Sequence, residues 1–229
     1  MDTRTLNNVT AHRKKPITKA SAFAFFISLL LLCSLFQFKV WAAENTHIPL
    51  LPVKGPTLEP KKGRFLVATD NLVNTSFKET VILMTHFSAR GATGIAINRP
   101  ANIQLDEAFP GIKSIQGYRE TLFLGGPVKT DAIFVLMKTK RPHNYMRQIT
   151  NGIYFAAGLG AITHGLPKLN KDESVRAYAG YAGWTAGQLQ TEIKRGDWLI
   201  VEANPKIVFE ENTDSLWSRL HQTWSGNWI

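Results

Sequence analysis

The chain has 229 residues, 44% of them apolar and 10% aromatic, which is enough to bury a hydrophobic core and excludes an intrinsically disordered class. Its formal net charge is +10, but the first 42 residues hold six Lys/Arg against one Asp, so the rest carries only +5. Those remaining charges are scattered, which disfavours nucleic acid as a partner. A single cysteine, Cys33, excludes an intramolecular disulfide.

The front of the chain is typical of an export signal. Residues 20–38 are apolar or small and uncharged, follow a basic run, and precede Val40 and Ala42, the small-residue pair of a cleavage site. We therefore expect residues 1–42 to be a signal peptide, or an uncleaved membrane anchor, because 19 residues approach the length that spans a bilayer. Either outcome places the domain in the periplasm or at the inner membrane, outside the cytoplasm. Cys33 lies in this segment, so a mature domain would have no thiol.

Residues 43–62 contain four prolines and few apolar repeats, which predicts an extended linker. The first half of the following domain reads mainly as short strands joined by turns. Gly91–Gly94 is expected to form a hairpin turn, and Pro100 to end the strand after it. The predicted strands are Arg64–Thr69, Thr80–Thr85, Ile95–Ile97, Leu122–Leu124 and Ile133–Met137, with a helical turn at Leu105–Phe109.

The second half contains the most informative stretch, residues 175–201, which predicts a strand, a glycine turn, a helix and a strand. Thr185 and Gln188 have capping-box spacing at the helix start, and Gly196 is placed to end the helix. The remaining predicted elements are strands at Ile153–Phe155, Val175–Tyr181, Trp198–Val201 and Ile207–Phe209, and helices at Leu159–His164 and from near Thr213. The pattern alone favours an α+β fold with a largely antiparallel sheet.

Gly180, Gly183 and Gly187 admit two interpretations. Glycines let a strand and a helix approach closely, and a helix N-terminus can also hold an anion. Their spacing matches neither the dinucleotide-binding fingerprint nor a phosphate-binding loop, so close packing is favoured.

Three motifs carry a family resemblance: residues 86–100, which include Gly-Ala-Thr-Gly-Ile-Ala-Ile-Asn-Arg-Pro; Gly125-Gly126-Pro127-Val128; and residues 180–199. In this order they resemble the bacterial AlgH/YqgE family, also called UPF0301 or DUF179. The resemblance makes residues 63–229 the family's domain. It implies a compact α+β fold with a bifurcated sheet, a small barrel-like part and surrounding helices. Relatives are taken to be cytosolic, so the export signal is a departure from the family.

No metal-ligand spacing, nucleophile motif or cofactor fingerprint occurs in the sequence, so we predict no catalytic residue, no metal and no cofactor. A strand-end histidine, a polar pair closing its hairpin partner, and two residues at the predicted helix start form the candidate ligand pocket. These residues are His86, Asn98, Arg99, Trp184 and Gln188.

We accordingly expect a non-catalytic binding or regulatory domain that is exported to, or anchored at, the bacterial envelope. Its partner would be a protein or a small anionic ligand, and residues 20–38 make contact with a membrane possible. Two alternatives stay open: a cytosolic transcriptional regulator, suggested by the alginate-regulation name of the family, and a hydrolase or transferase whose site the sequence order hides.

Overall fold

The computed structural model describes residues 58–165 and 170–225. The predicted signal peptide or anchor, residues 1–42, lies outside these ranges, as do residues 43–57 of the predicted linker. Within the two described ranges, no helix combines the length and the apolar character needed to cross a membrane.

Ten strands and five short helices make up the described part of the domain, together with two 3-10 turns. The strands are β1 (Arg64–Ala68), β2 (Val81–Ser88), β3 (Gly91–Ala96), β4 (Pro100–Gln104), β5 (Thr121–Leu124), β6 (Val128–Lys138), β7 (Arg147–Thr150), β8 (Ile153–Ala157), β9 (Ser174–Thr185) and β10 (Trp198–Glu202). The helices are α1 (Leu105–Ala108), α2 (Leu159–Gly165), α3 (Gln188–Arg195), α4 (Pro205–Val208) and α5 (Leu216–Ser225).

The strands form one curled, mostly antiparallel sheet, a half-barrel in the order β10-β1-β2-β3-β9-β6-β8-β7. The first strand of the domain is paired with the last, and Arg64 Nε donates a 2.9 Å hydrogen bond to Glu202 Oε1 across that pair. At the far edge, Lys62 Nζ donates to the Gln148 carbonyl oxygen of β7 at 3.0 Å. Lys62, two residues before β1, therefore lies against β7, at the opposite end of the strand order. The α+β class holds in coarse form, with the sheet more dominant than expected.

Strand β9 joins the two halves of the sheet. One of its edges pairs with β6, while β3 pairs with its last four residues, 182–185, and β5 runs parallel to residues 178–179. Gly180 lies where the partner changes from β5 to β3, with φ of +72°. A Cβ at this position would collide with the Gly126 carbonyl oxygen. Glycine is required here by both backbone conformation and space.

The side chains of residues 65–68 in β1 are all buried because they alternate between the two faces of the sheet, and both faces are covered. Phe65 and Val67 belong to one core cluster, while Leu66 and Ala68 belong to a second cluster on the other face. Successive side chains of a strand point to opposite faces, so a strand covered on both sides is apolar on both, as β1 is at residues 65–68, while Arg64 at its start pairs with Glu202.

Two predicted glycine turns are wrong. Gly91–Gly94 lies within β3, and the hairpin turn is at residues 89–90, with Ser88 opposite Gly91. The glycine turn predicted after the Val175–Tyr181 strand is also absent, because β9 continues through Gly183 to Thr185. At Gly180 in β9 the close approach of neighbouring backbone selects glycine, in agreement with the close-packing interpretation of this residue.

One further predicted element is wrong, and two observed strands were not predicted. Residues 207–209 do not form a strand: α4 covers Pro205–Val208, because Asn204 caps the Lys206 N–H at 2.9 Å and Pro205 suits the first helical turn. Strand β4 begins at Pro100, after β3 has ended at Ala96, and proline is tolerated there because β4 pairs on one side only, with β5. Strand β7 has no counterpart among the predicted elements.

The helix predicted within residues 175–201 is confirmed, but its N-terminus differs from the prediction. Helix α3 ends at Gly196, which has φ of +85°. At its start Gln188 Oε1 accepts the Thr185 N–H at 3.0 Å, but the N-cap is Gly187, which has no side chain to return a bond. Only one half of the predicted capping box forms.

Candidate functional site

Helix α3 holds a glutamate that three other side chains contact. Gln188 and Glu192 lie one helical turn apart, and Gln188 Nε2 donates to Glu192 Oε1 at 3.0 Å. Glu192 Oε2 accepts two indole N–H groups, one from Trp184 and one from Trp198, each at 2.8 Å. The carboxylate thus links α3 to the end of β9 and to the start of β10.

Phe77 completes the aromatic surroundings of this carboxylate. Its ring lies 6.4 Å from the Trp184 ring, nearly parallel, and 5.6 Å from the Trp198 ring, edge to face. The two indoles are 6.0 Å apart at an interplanar angle of 80°, and both are buried. We call Phe77, Trp184, Gln188, Glu192 and Trp198 the tryptophan cluster. Both oxygens of its carboxylate accept internal hydrogen bonds.

Asn98 and Arg99 hold the chain segment that leads into β2. Asn98 Oδ1 accepts the Val81 N–H at 2.9 Å, and Asn98 Nδ2 donates to the Glu79 carbonyl oxygen at 2.9 Å. Arg99 donates to the Lys78 carbonyl oxygen at 2.7 Å. Desolvation by burial lowers the pKa of Arg99, and the Glu79 carboxylate partly opposes that effect. Both side chains thus hold residues 78–81 in place through hydrogen bonds to the backbone.

His86 is exposed near the other end of β2, where its Nε2 lies 3.2 Å from Ser88 Oγ. Its partner across the hairpin is Thr93. Asn98 contacts Val81, five residues back along β2, which corresponds to roughly 17 Å. The structure therefore separates His86 from Asn98 and Arg99.

The five predicted residues fall into three groups. Trp184 and Gln188 meet through Glu192, and Asn98 and Arg99 act on one segment, while His86 stands apart from that pair. Phe77, next to Lys78 in sequence, connects the first group to the second. Sequence reasoning assigned no role to Glu192, although its place one turn after Gln188 was the available signal.

A cleft that the sequence analysis did not identify lies between α4 and α5. Its volume is about 400 Å³, and its walls combine apolar side chains with one cation and two polar side chains. The lining residues are Ile207, Leu216, Arg219, Leu220, Gln222 and Thr223. Arg219 also donates to Glu210 Oε1 at 2.6 Å, and its side chain is 51% exposed, so the guanidinium is accessible from solvent.

The described part of the chain offers no metal site. Among residues 58–165 and 170–225, no three His, Cys, Asp or Glu side chains converge on a point suited to a cation.

Comparison with known proteins identifies relatives along most of the chain. The sequence model described as DUF179, AlgH-like, matches residues 65–228. A UPF0301 protein from Chlorobium luteolum is 32% identical over 167 residues, which cover 72% of this chain and 87% of the relative. A UPF0301 protein from Mycobacteroides abscessus is 31% identical over 170 residues, covering 72% and 80%. The predicted family resemblance is confirmed.

Two solved structures share the fold. The solution structure of AlgH from Pseudomonas aeruginosa is 27% identical and covers 72% of this chain and 88% of its own, with a TM-score of 0.57. The crystal structure of protein DIP2367 from Corynebacterium diphtheriae is 22% identical and covers 74% and 90%, with a TM-score of 0.63. At that identity the second comparison concerns the fold alone.

Proposed function

We propose, from the premise that the chain belongs to the AlgH-like family of uncharacterised UPF0301 proteins, that it is a non-catalytic binding domain of the bacterial envelope. Its ligand in this proposal is a small amphipathic anion, and its binding site is the cleft between α4 and α5. The observation that carries the proposal is the combination of an accessible guanidinium with an apolar wall in that cleft.

The dimensions and chemistry of the cleft favour this ligand class. Its volume of about 400 Å³ lies at the lower end of the range of small-molecule sites. Ile207, Leu216 and Leu220 can bury an apolar body, while Arg219 has five N–H donors and uses one nitrogen for Glu210. The free donors suit a carboxylate or phosphate head, which a guanidinium binds through paired hydrogen bonds.

The tryptophan cluster supports a scaffold role for the residues that the sequence analysis singled out. A general base needs an accessible lone pair close to the reacting group. Glu192 instead has both oxygens hydrogen-bonded to neighbours, and Asn98 uses its amide at both ends on backbone groups. We infer that the family motifs build the domain and that ligand recognition lies elsewhere on it.

The cleft is tested with short amphipathic anions on the purified protein. Octanoate and octyl phosphate should raise the melting temperature, whereas uncharged octanol should raise it much less, because it lacks a group for Arg219. Arg219→Gln should weaken binding of the anions about tenfold, as expected for one lost charge-assisted pair. Lys206→Gln, an exposed cation on α4 that does not line the cleft, is the matched control. Equal affinity of the Arg219→Gln and Lys206→Gln variants for the anions, or hydrolysis of bound octyl phosphate, would contradict the proposal.

The envelope location is tested separately. Residues 1–60 fused to a reporter that is active only outside the cytoplasm should give an active reporter, because residues 20–38 resemble an export segment. Mass analysis of the full chain would then distinguish cleavage after Ala42 from an uncleaved anchor. An inactive reporter would assign the domain to the cytosol, the family default. The regulator and enzyme alternatives stay predictions.

A further inference from the structure

Residues 132–171 are unusual in charge, since they hold six Lys/Arg and no Asp or Glu. In the structure, Lys138 ends β6, Lys140 and Arg141 begin the following loop, and Arg147 starts β7. All four side chains are exposed. None of Lys138, Lys140 and Arg147 forms an ion pair with another described residue.

Lys62 joins this group from the start of the domain. Its Nζ donates to the Gln148 carbonyl oxygen, one residue after Arg147, at the edge where β7 meets the segment before β1. We call Lys62, Lys138, Lys140, Arg141 and Arg147 the basic seam. One carboxylate, Glu173, lies near its margin, where its charge interacts with Arg141.

An exposed aromatic ring accompanies these charges. Tyr145 lies in the same loop and is 47% exposed, with its ring 5.3 Å from the His143 ring and parallel to it. Tyrosine beside lysine and arginine is typical of surfaces that lie at a membrane interface, where the ring enters the headgroup layer. Single-stranded nucleic acid needs a series of open aromatic faces for successive bases. Here His143 covers one face of Tyr145, which favours the bilayer.

We propose that the basic seam docks the domain on an anionic phospholipid surface. This inference goes beyond the cleft, and it shares with the proposed function only the envelope location. Lys62, a member of the seam, lies 24 residues after the end of residues 20–38, so a segment inserted there would keep the seam within about 80 Å of the bilayer. Five cations near an anionic surface attract it through a field that salt screens.

The test uses the full chain in lipid nanodiscs and measures amine acetylation of single lysines by mass spectrometry. Lys138 and Lys140 should be acetylated at least about fivefold more slowly on discs containing about one third phosphatidylglycerol than on phosphatidylcholine discs. The protection should disappear in about 0.5 M salt. Lys113 and Lys194, exposed at other places, should react at the same rate on both discs.

Two variants make the result specific to the seam. Arg141→Gln/Arg147→Gln should restore acetylation of Lys138 and Lys140 on anionic discs, since each lost charge weakens the attraction about fivefold. Arg90→Gln/Arg119→Gln removes the same charge at exposed positions outside the seam and the cleft, and should leave the protection intact. Equal rates on both discs, or protection by a single-stranded oligonucleotide in place of the anionic discs, would overturn the proposal.

Discussion

Trp184 Nε1 and Glu192 Oε2 are joined by a 2.8 Å hydrogen bond that ties the end of β9 to α3. The same oxygen accepts the Trp198 indole at 2.8 Å. Replacing Glu192 by Ala leaves two buried N–H groups without an acceptor, each of which costs about 1–3 kcal/mol. We expect the free energy of unfolding in urea to fall by about 3 kcal/mol.

Glu192→Gln keeps an acceptor oxygen and should cost less than the alanine variant. Lys194→Ala, an exposed change on the same helix, should alter the unfolding free energy by less than about 0.5 kcal/mol. A loss for Glu192→Ala as small as that of Lys194→Ala would show that the indole contacts do not stabilise the domain.

Asn98→Ala should leave one backbone N–H, that of Val81, without its hydrogen-bond acceptor. The Val81 N–H loses its 2.9 Å acceptor in a buried position, so we expect a loss of about 2 kcal/mol and faster hydrogen exchange at Val81. Asn98→Asp retains the acceptor but loses the donor to Glu79, and it should fall between wild type and alanine. Unchanged exchange at Val81 in Asn98→Ala would refute this role.

Gly180 and Gly187 both have positive φ, near +72° and +75°, but differ in space. A Cβ at Gly180 meets backbone carbonyls, whereas none of the described atoms lies within 4 Å of a Cβ at Gly187. Gly187→Ala should therefore cost about 1 kcal/mol from backbone strain. Gly180→Ala adds overpacking and should cost about 3 kcal/mol or more in thermal unfolding. Equal losses would mean that strain alone selects glycine in β9.

Tyr178 is fully buried, and its hydroxyl has no hydrogen-bond partner among the described residues. Burial raises the pKa of this phenol, and nearby Arg176 lowers it by a smaller amount, through its charge and through a side-chain contact that does not meet ordinary hydrogen-bond geometry. Arg176 directs its donors to the carbonyl oxygens of Val208 and Glu210. Tyr178→Phe should therefore stabilise the domain by about 1 kcal/mol. A destabilised variant would reveal a hydrogen bond from Arg176, and Tyr154→Phe is the control at a less buried site.

Glu173 provides a pH-dependent contact. The hydroxyl of Thr139, followed by the backbone N–H of Asn170, lowers the pKa of this carboxyl below its usual value. A depressed folded-state pKa stabilises the protein above the pKa of the unfolded chain, and that stabilisation is lost as the pH falls through the folded value. In Thr139→Val, carbon-detected NMR titration should give a higher pKa for Glu173. Identical titration midpoints in both proteins would contradict the assignment.

The sequence predicted the parts of the fold that local patterns determine. The β-branched run at residues 80–85 became β2, and Gly196 ended α3 as expected. Residues 207–209 were misassigned because a short apolar run suits both a strand and a helix, although Asn204 and Pro205 carried the helix signal. The extended path of β9 through its glycines depends on neighbouring strands that are distant in sequence, so no local pattern contains it.

The candidate pocket failed for a geometric reason. A turn at residues 91–94 would place His86 opposite the Asn98–Arg99 pair, whereas the observed turn at residues 89–90 places it opposite Thr93. A shift of a few residues in turn position thus changes which side chains meet. The contact between Thr185 and Gln188 was predicted more reliably, because residues three apart at a helix start remain neighbours.

The pairing of β1 with β10 has a consequence for the order of events during synthesis. Arg64 and Glu202 are 138 residues apart, so a ribosome needs roughly ten seconds to deliver the last partner after the first has emerged. Until then β1 has β2 as its only neighbour, and the sheet cannot be completed on the β10 side. In a polypeptide that crosses a translocon unfolded, this delay in pairing β1 with β10 would lengthen the period in which the chain can be translocated.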